Sequence, residues 1–275
     1  MSINSSLLNN QVAIVTGAGR GIGRATALTL ARAGAAVILA ARSEAEIAGV
    51  AEDIKRQGGK ALAIPTDVSD AAQVDHLLIL TLRAFGRVDI LVNNAAIVQP
   101  LGKVWETSPV AWQRAIAINV FGPYLCARTV LPHMLDRGSG RIINVSSGAA
   151  QAHLPGASAY CAGKAALESF SGTLAAEVGD NDVVVTTFRP GIVDTSMQAQ
   201  IRETPAHLFP QVDRWHNWHK KGQLRSTDEP AQGIVWLASH FAKDVNGQTF
   251  SIDDKAFWQQ VTRDLGIIVN GNTKG

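Results

Sequence analysis

The chain has 275 residues, with 25 basic and 23 acidic side chains, a formal net charge of +2, and a composition 46% hydrophobic and 17% charged. That balance excludes a disordered chain and suits one packed α/β domain spanning residues 1–275. No basic run exceeds Lys220-Lys221, which argues against nucleic acid as a partner, and no stretch approaches the roughly 18 uninterrupted apolar residues of a membrane span.

Met1 to Asn10 lacks the charged start and apolar centre of an export signal, so a cytoplasmic protein is expected. The two cysteines, Cys126 and Cys161, have no CxxC spacing and fit reduced thiols. A first strand is predicted over Val12 to Val15. Directly after it comes Thr16-Gly17-Ala18-Gly19-Arg20-Gly21-Ile22-Gly23, and a helix follows over Gly21 to Ala33. Glycines let the backbone turn sharply and approach a pyrophosphate, while a helix N-terminus offers free N–H groups and a positive dipole end. The spacing is Gly17-x-x-x-Gly21-x-Gly23 and not the common GxGxxG, and a ligand-free glycine turn is the bland alternative.

The second strand, Ala36 to Ala40, runs into Ala41-Arg42-Ser43, and a helix is predicted over Glu44 to Gln57. An acid at the end of this strand bonds the ribose 2'-hydroxyl of NAD, whereas a cation accommodates the 2'-phosphate of NADP. No carboxylate stands there, Arg42 offers a planar donor fork, and Arg20 adds a second charge, so NADP(H) is expected over NAD(H). Solvated surface arginines are the competing reading.

Further strands are predicted over Ala61 to Ile64, Val88 to Val92, Arg141 to Val145, Val183 to Phe188 and Gln248 to Ile252. Between them lie helices at Ala71 to Phe85, Ala111 to Leu135, Ser158 to Val178 and Glu229 to Ser239. Such a β-α-β-α succession, with middle strands apolar almost throughout, predicts a doubly wound parallel sheet of about seven strands in a Rossmann-type three-layer α/β/α sandwich. Ligands then bind beyond the carboxyl ends of the strands. The stretch Ser196 to Ser226 breaks the rhythm and reads as a substrate-covering insertion, with Trp215 and Trp218 over an apolar or aromatic substrate or over the core. His216 and His219 have no HExxH or cysteine pair beside them, so no metal is expected. The tail after Asp254, ending Asn270 to Gly275, reads as an arm or as disordered.

Tyr160 and Lys164 are spaced i, i+4 in a predicted helix and project from one face. A neighbouring ammonium is expected to lower the phenol from its ordinary ~10 toward a value useful for proton transfer. Ser147 ends the fifth strand, with Ser146 as a rival, and Asn119 lies inside a predicted helix where asparagine is a poor former.

Taken in order, Thr16-Gly-x-x-x-Gly-Ile-Gly, Asn93-Asn94-Ala95-Ala96, Asn119, Ser147, Tyr160-x-x-x-Lys164 and Pro190-Gly191 resemble the short-chain dehydrogenase/reductase family from about Gln11 to Thr195. The resemblance implies hydride transfer between NADP(H) and a small carbonyl or alcohol, with Tyr160 as acid/base beside Ser147. It also implies that Lys164 holds the nicotinamide ribose and that Asn119 interrupts its helix and orders a water relay. Asp67 and Val68 would meet the adenine, Asn93 would fix the fourth strand's turn, Ala95 would contact the cofactor, and Ile192 and Thr195 would bond the carboxamide beyond Pro190-Gly191. Relatives assemble as homodimers or homotetramers, with Ala111 to Leu135 and Ser158 to Val178 as candidate contacts. The family's Asp-Gly-Gly ending is replaced by Asp253-Asp254-Lys255. Two competing readings are a nucleotide-binding scaffold or redox sensor without turnover, and an NAD-linked dehydrogenase.

Overall fold

The computed structural model describes residues 4–179 and 181–267. The strands are β1 Val12–Thr16, β2 Ala36–Ala41, β3 Lys60–Pro65, β4 Ile90–Asn93, β5 Gly140–Val145, β6 Val183–Arg189 and β7 Thr249–Ser251. They form one sheet of order β3-β2-β1-β4-β5-β6-β7, parallel throughout. The helices are α1 Gly21–Arg32, α2 Glu44–Arg56, α3 Ala71–Phe85, α4 Pro109–Ile116, α5 Gly122–Asp136, α6 Ser158–Val178, α7 Ser196–Arg202, α8 Val212–Lys220, α9 Asp228–Ala238 and α10 Lys255–Asp264.

Every residue of β1 is buried, as a strand covered on both faces requires. Its side chains alternate. Ala13 and Val15 enter a core with Leu30, Ile47, Phe188, Trp236 and Phe257, which packs α1, α2, α9 and α10 on one face. Val12 and Ile14 enter a second core with Leu77, Leu125, Val130 and Leu174, contributed by α3, α5 and α6 on the other. This period-two division makes the three-layer Rossmann-like sandwich. The strand order reverses between β1 and β4, and a crevice opens there beyond their carboxyl ends.

Three elements differ from expectation. The run Ala111 to Leu135, predicted from its pattern as one helix, is interrupted at Asn119 as the resemblance implied: α4 and α5 are separated by a π-helical turn, Ala117–Phe121. The buried Asn119 side chain accepts from the Ile97 N–H at 2.9 Å and donates to the Ile97 carbonyl at 2.9 Å, which pins the turn to the loop after β4. The whole segment Pro109–Asp136 is apolar and long enough to span a bilayer by composition alone, but α5 packs into the second core.

The stretch after Asp254 forms α10, where an arm or a disordered tail was expected. Asp254 accepts from the Ala256 and Phe257 N–H groups as N-cap, and Phe257 and Val261 are buried. The tail Asn270 to Gly275 lies outside the described residues. Within Ser196 to Ser226, α7 and α8 enclose a satellite core of Val98, Leu101, Ala157, Ile201, Phe209, Val212 and Trp215. Trp215 stands edge-on to Phe209 with ring centroids 4.9 Å apart, and Trp218 leans on Trp215 at 5.0 Å.

Candidate active site

Strand β1 delivers the glycine loop to the crevice. Gly17 has φ +65° and Gly21 φ +53°, values that side-chain-bearing residues rarely adopt. A Cβ on Gly23 would stand 2.2 Å from the Gly17 carbonyl oxygen, and one on Gly17 would stand 2.9 Å from the Ala95 Cα. The floor is therefore backbone against backbone. Helix α1 begins from Arg20 in extended conformation, with no side-chain cap and no acid in its first turn. Its first N–H groups and positive dipole end are left for an anion, and this unclaimed N-terminus behind a side-chain-free floor fits a pyrophosphate.

The crevice is a cleft of about 690 Å³. Of the residues expected to hold cofactor, Gly17, Arg20, Gly21, Ile22, Gly23, Arg42, Asp67, Val68, Ala95, Tyr160, Lys164, Pro190 and Thr195 line it. Thr16, Asn93, Gly191 and Ile192 do not. Thr16 is buried, and its Oγ1 accepts from the Asn94 and Ala95 N–H groups at 3.0 and 3.1 Å, tying β1 to the turn after β4. Asn93 is buried and donates to Asn144 Oδ1 at 2.9 Å, while Asn144 donates to Ser171 Oγ at 2.8 Å. That chain joins β4, β5 and α6 behind the cleft. Gly191 has φ +74°, and the Ile192 carbonyl accepts from the Arg225 N–H, so both shape the turn after β6.

At the adenine end, β2 finishes at Ala41 and presents Arg42, which is exposed and makes no ion pair among the described residues. Asp67 lines the wall but is paired to Arg114 at 3.0 Å and accepts from Ser69. Glu46 of α2 overhangs Gly19, close enough that a Cβ there would meet its Oε2 at 2.7 Å. Sequence reading passed over Glu46 because its approach depends on how α2 packs over the loop.

At the other end, α6 carries Tyr160 and Lys164 to the cleft wall. Lys164 is buried, and its Nζ donates to the Val145 carbonyl at 2.6 Å and stands 5.8 Å from the Tyr160 ring centre. Burial draws its ammonium down to about 8, opposed by the charge of Glu168. The expected depression of the tyrosine is not found. Burial drives the Tyr160 phenol above its ordinary value, only partly countered by hydrogen bonding from Ser147. The Lys164 ammonium is directed at the Val145 backbone carbonyl and does not offset this desolvation.

The two adjacent serines separate clearly. Ser146 lines the cleft and its Oγ donates to Glu168 Oε1 at 2.7 Å, while Ser147, which is not among the lining residues, is the one that hydrogen-bonds the phenol. Asn119 is held behind them by Ile97 and against Gly163, where a Cβ would come within 3.2 Å of its own. Asn94 escaped the sequence reading as a contact residue, although it lies within the quoted Asn-Asn pair: its Nδ2 donates to the Thr16 carbonyl at 2.9 Å at the cleft edge. From the insertion it is Ser196, Met197 and Gln200 of α7, and neither tryptophan, that line the cleft.

Residues 11–206 match the short chain dehydrogenase family. A 3-oxoacyl-(acyl-carrier-protein) reductase of Synechocystis sp. is 38% identical over 248 residues, which cover 90% of this chain and 96% of that protein. A cis-4-hydroxycyclohexanecarboxylate dehydrogenase of Sinomonas cyclohexanicum is 35% identical over 88% of this chain and 95% of its own. In three dimensions the crystal structure of levodione reductase superposes with a TM-score of 0.83 at 26% identity, covering 91% of this chain and 98% of that one. Sheet order, cleft and sequence agree: the chain belongs to the short-chain dehydrogenase family, oxidoreductases that exchange hydride between a nicotinamide cofactor and a carbonyl or alcohol.

Proposed function

We propose that the protein is an NADPH-dependent reductase of small apolar carbonyl compounds, with Tyr160 as the proton donor. The observation that carries this reading is that the Tyr160 phenol, hydrogen-bonded by Ser147, and the neighbouring Lys164 stand on the wall of the same cleft that holds a glycine-floored helix N-terminus. When bound, the cofactor supplies hydride to the carbonyl carbon. The chain's own residues do the rest. Gly17, Gly21 and Gly23 admit the pyrophosphate, Arg20 and Arg42 face the 2'-phosphate, and Thr195 with Pro190 borders the nicotinamide end.

Tyr160 Oη donates its proton to the carbonyl oxygen while Ser147 Oγ donates a hydrogen bond to the same oxygen. A phenol driven up by burial is fully protonated at neutral pH, which suits the reducing direction. Lys164 supplies a cation one helical turn away to stabilise the phenolate left behind. Ile97 and Met197 make the substrate side apolar, with Gln99 and Gln200 as polar contacts. The molecule works as a homo-oligomer: Phe121 and Tyr124, stacked 5.6 Å apart and exposed, join Phe170 of α6 in an aromatic face across the helices.

Turnover of NADPH against a panel of carbonyls tests the assignment. Tyr160→Phe is expected to lose about 10²–10⁴-fold in turnover while still binding NADPH; full turnover in that variant contradicts the mechanism. Arg42→Ala is expected to shrink the NADPH over NADH preference by roughly 10-fold or more. An unchanged ratio removes Arg42 from the phosphate site.

A further inference from the structure

Behind Lys164, one turn further along α6, lies Glu168, a carboxylate the mechanism above does not use. Its side chain is only 17% exposed. Oε1 accepts from Ser146 Oγ at 2.7 Å and from Arg189 Nε at 2.8 Å, and Oε2 accepts from Arg189 Nη2 at 2.6 Å. Arg189 is the last residue of β6 and also donates to Gln151 Oε1 at 2.8 Å. One carboxylate therefore ties the helix bearing Tyr160 and Lys164 to the end of β5, where Ser147 begins, and to the end of β6, where Pro190 begins. Bidentate pairing to arginine fixes its orientation.

We propose that Glu168 is a positioning residue for the proton-transfer site: it locks α6 to the β5 and β6 ends and places a negative charge one helical turn from the buried Lys164 ammonium. The inference rests on the reading of Tyr160 and Lys164 given above. Burial works against the Lys164 cation and Glu168 works for it. Arg189, Ser146 and Lys164 in turn hold the Glu168 carboxyl below its ordinary range against burial. The titratable and charged groups around the pair are Tyr160, with Cys161 beside it, on α6 and Arg189 on β6. The π-helical turn against Gly163 brings neutral Asn119, and β5 brings Ser146 and the Val145 carbonyl.

The test is an NMR titration of the cofactor-free protein labelled at lysine Cε and glutamate Cδ, with Lys164 assigned by its loss in Lys164→Arg. Lys164 is expected to titrate near about 8 in the wild type and about one pH unit lower in Glu168→Gln. It stays at the wild-type position in Glu168→Asp, which keeps the charge, and in Ser146→Ala, which removes only a hydrogen bond. The alkaline limb of the kcat/KM profile is expected to move down in Glu168→Gln and to return in Glu168→Asp. An unmoved Lys164 in Glu168→Gln, or an equal shift in Ser146→Ala, overturns the proposal. Should the Gln variant fail to fold, the wild-type Glu168 carboxyl decides: a second inflection at the Lys164 titration point supports the coupling, and its absence overturns it. Neither cofactor nor turnover enters the titration, so its failure is distinct from failure of the Tyr160 mechanism, which Tyr160→Phe tests.

Discussion

Lys164 is a cation almost wholly buried in the cleft wall, and that placement has a thermodynamic signature. Its amine titrates at about 8 in the fold against 10.5 for a free lysine side chain, so between those values the folded protein binds fewer protons than the unfolded chain. Stability therefore rises with pH across that window, and below it the full penalty is present. Lys164→Met is expected to raise stability at neutral pH by on the order of 1 kcal/mol while abolishing turnover, with the margin narrowing as pH rises toward the unfolded value. Urea unfolding at several pH values reads this, and a Met variant less stable than wild type at neutral pH contradicts it. For carbonyl reduction, kcat/KM is expected to fall as pH rises through about 8, because the ammonium is then lost while the phenol keeps its proton. A profile flat through that range shows that the Lys164 charge is not needed. At this scale the i, i+4 spacing of Tyr160 and Lys164 singled them out only together with the glycine loop, Asn119 and Ser147 in family register. The direction of the phenol's shift was not, since it depends on burial and on where the Lys164 ammonium points. Glu168 stands at i+4 from Lys164 and was within reach of the same spacing argument, but its partners Ser146 and Arg189 meet it only after β5, β6 and α6 pack.

Among the elements, the glycine loop with α1 and the polar chain behind the cleft carry the sharpest consequences. Gly23→Ala is expected to lose dinucleotide binding and about 1–3 kcal/mol of stability, because the new Cβ meets the Gly17 carbonyl at 2.2 Å and backbone cannot give way as a side-chain tip can. Calorimetric titration with NADPH and thermal unfolding check the two parts. Asn144→Leu is expected to cost about 2–4 kcal/mol, since it leaves the Asn93 amide with only the Pro123 carbonyl at 3.5 Å and takes from the Ser171 hydroxyl the donor it accepts from. The strands and most helices were readable from apolar runs and glycine punctuation. The break in Pro109–Asp136 was legible only as a misplaced Asn119, because the register change to a π turn is made by Ile97 from a distant loop. Helix α10 was missed in the sequence, although Asp254 is a good N-cap and Gly266, with φ +64°, closes its last turn. The tryptophans of the insertion read as substrate contacts or core, and their packing on Phe209 makes a satellite core that holds α7 at the cleft.

For the whole molecule, the alternating succession of elements was enough for a parallel sheet, and handedness rules then leave the crevice between β1 and β4 as the site. What no local pattern carried is which surface meets a second copy. The aromatic face of Phe121, Tyr124 and Phe170 makes that a question of mass: light scattering is expected to give a dimer or tetramer, and Phe121→Asp combined with Tyr124→Lys is expected to shift it toward monomer. A wild-type monomer contradicts the assembly. The central claim, that one cleft carries hydride and proton to the same carbonyl, is tested most directly by mixing the protein with NADPH deuterated at the transferable position and a carbonyl substrate, then weighing the product. The expected result is an alcohol carrying deuterium on the carbinol carbon with wild type and almost none with Tyr160→Phe, at equal cofactor occupancy. Product without deuterium, or equal deuterated product from both proteins, contradicts the account.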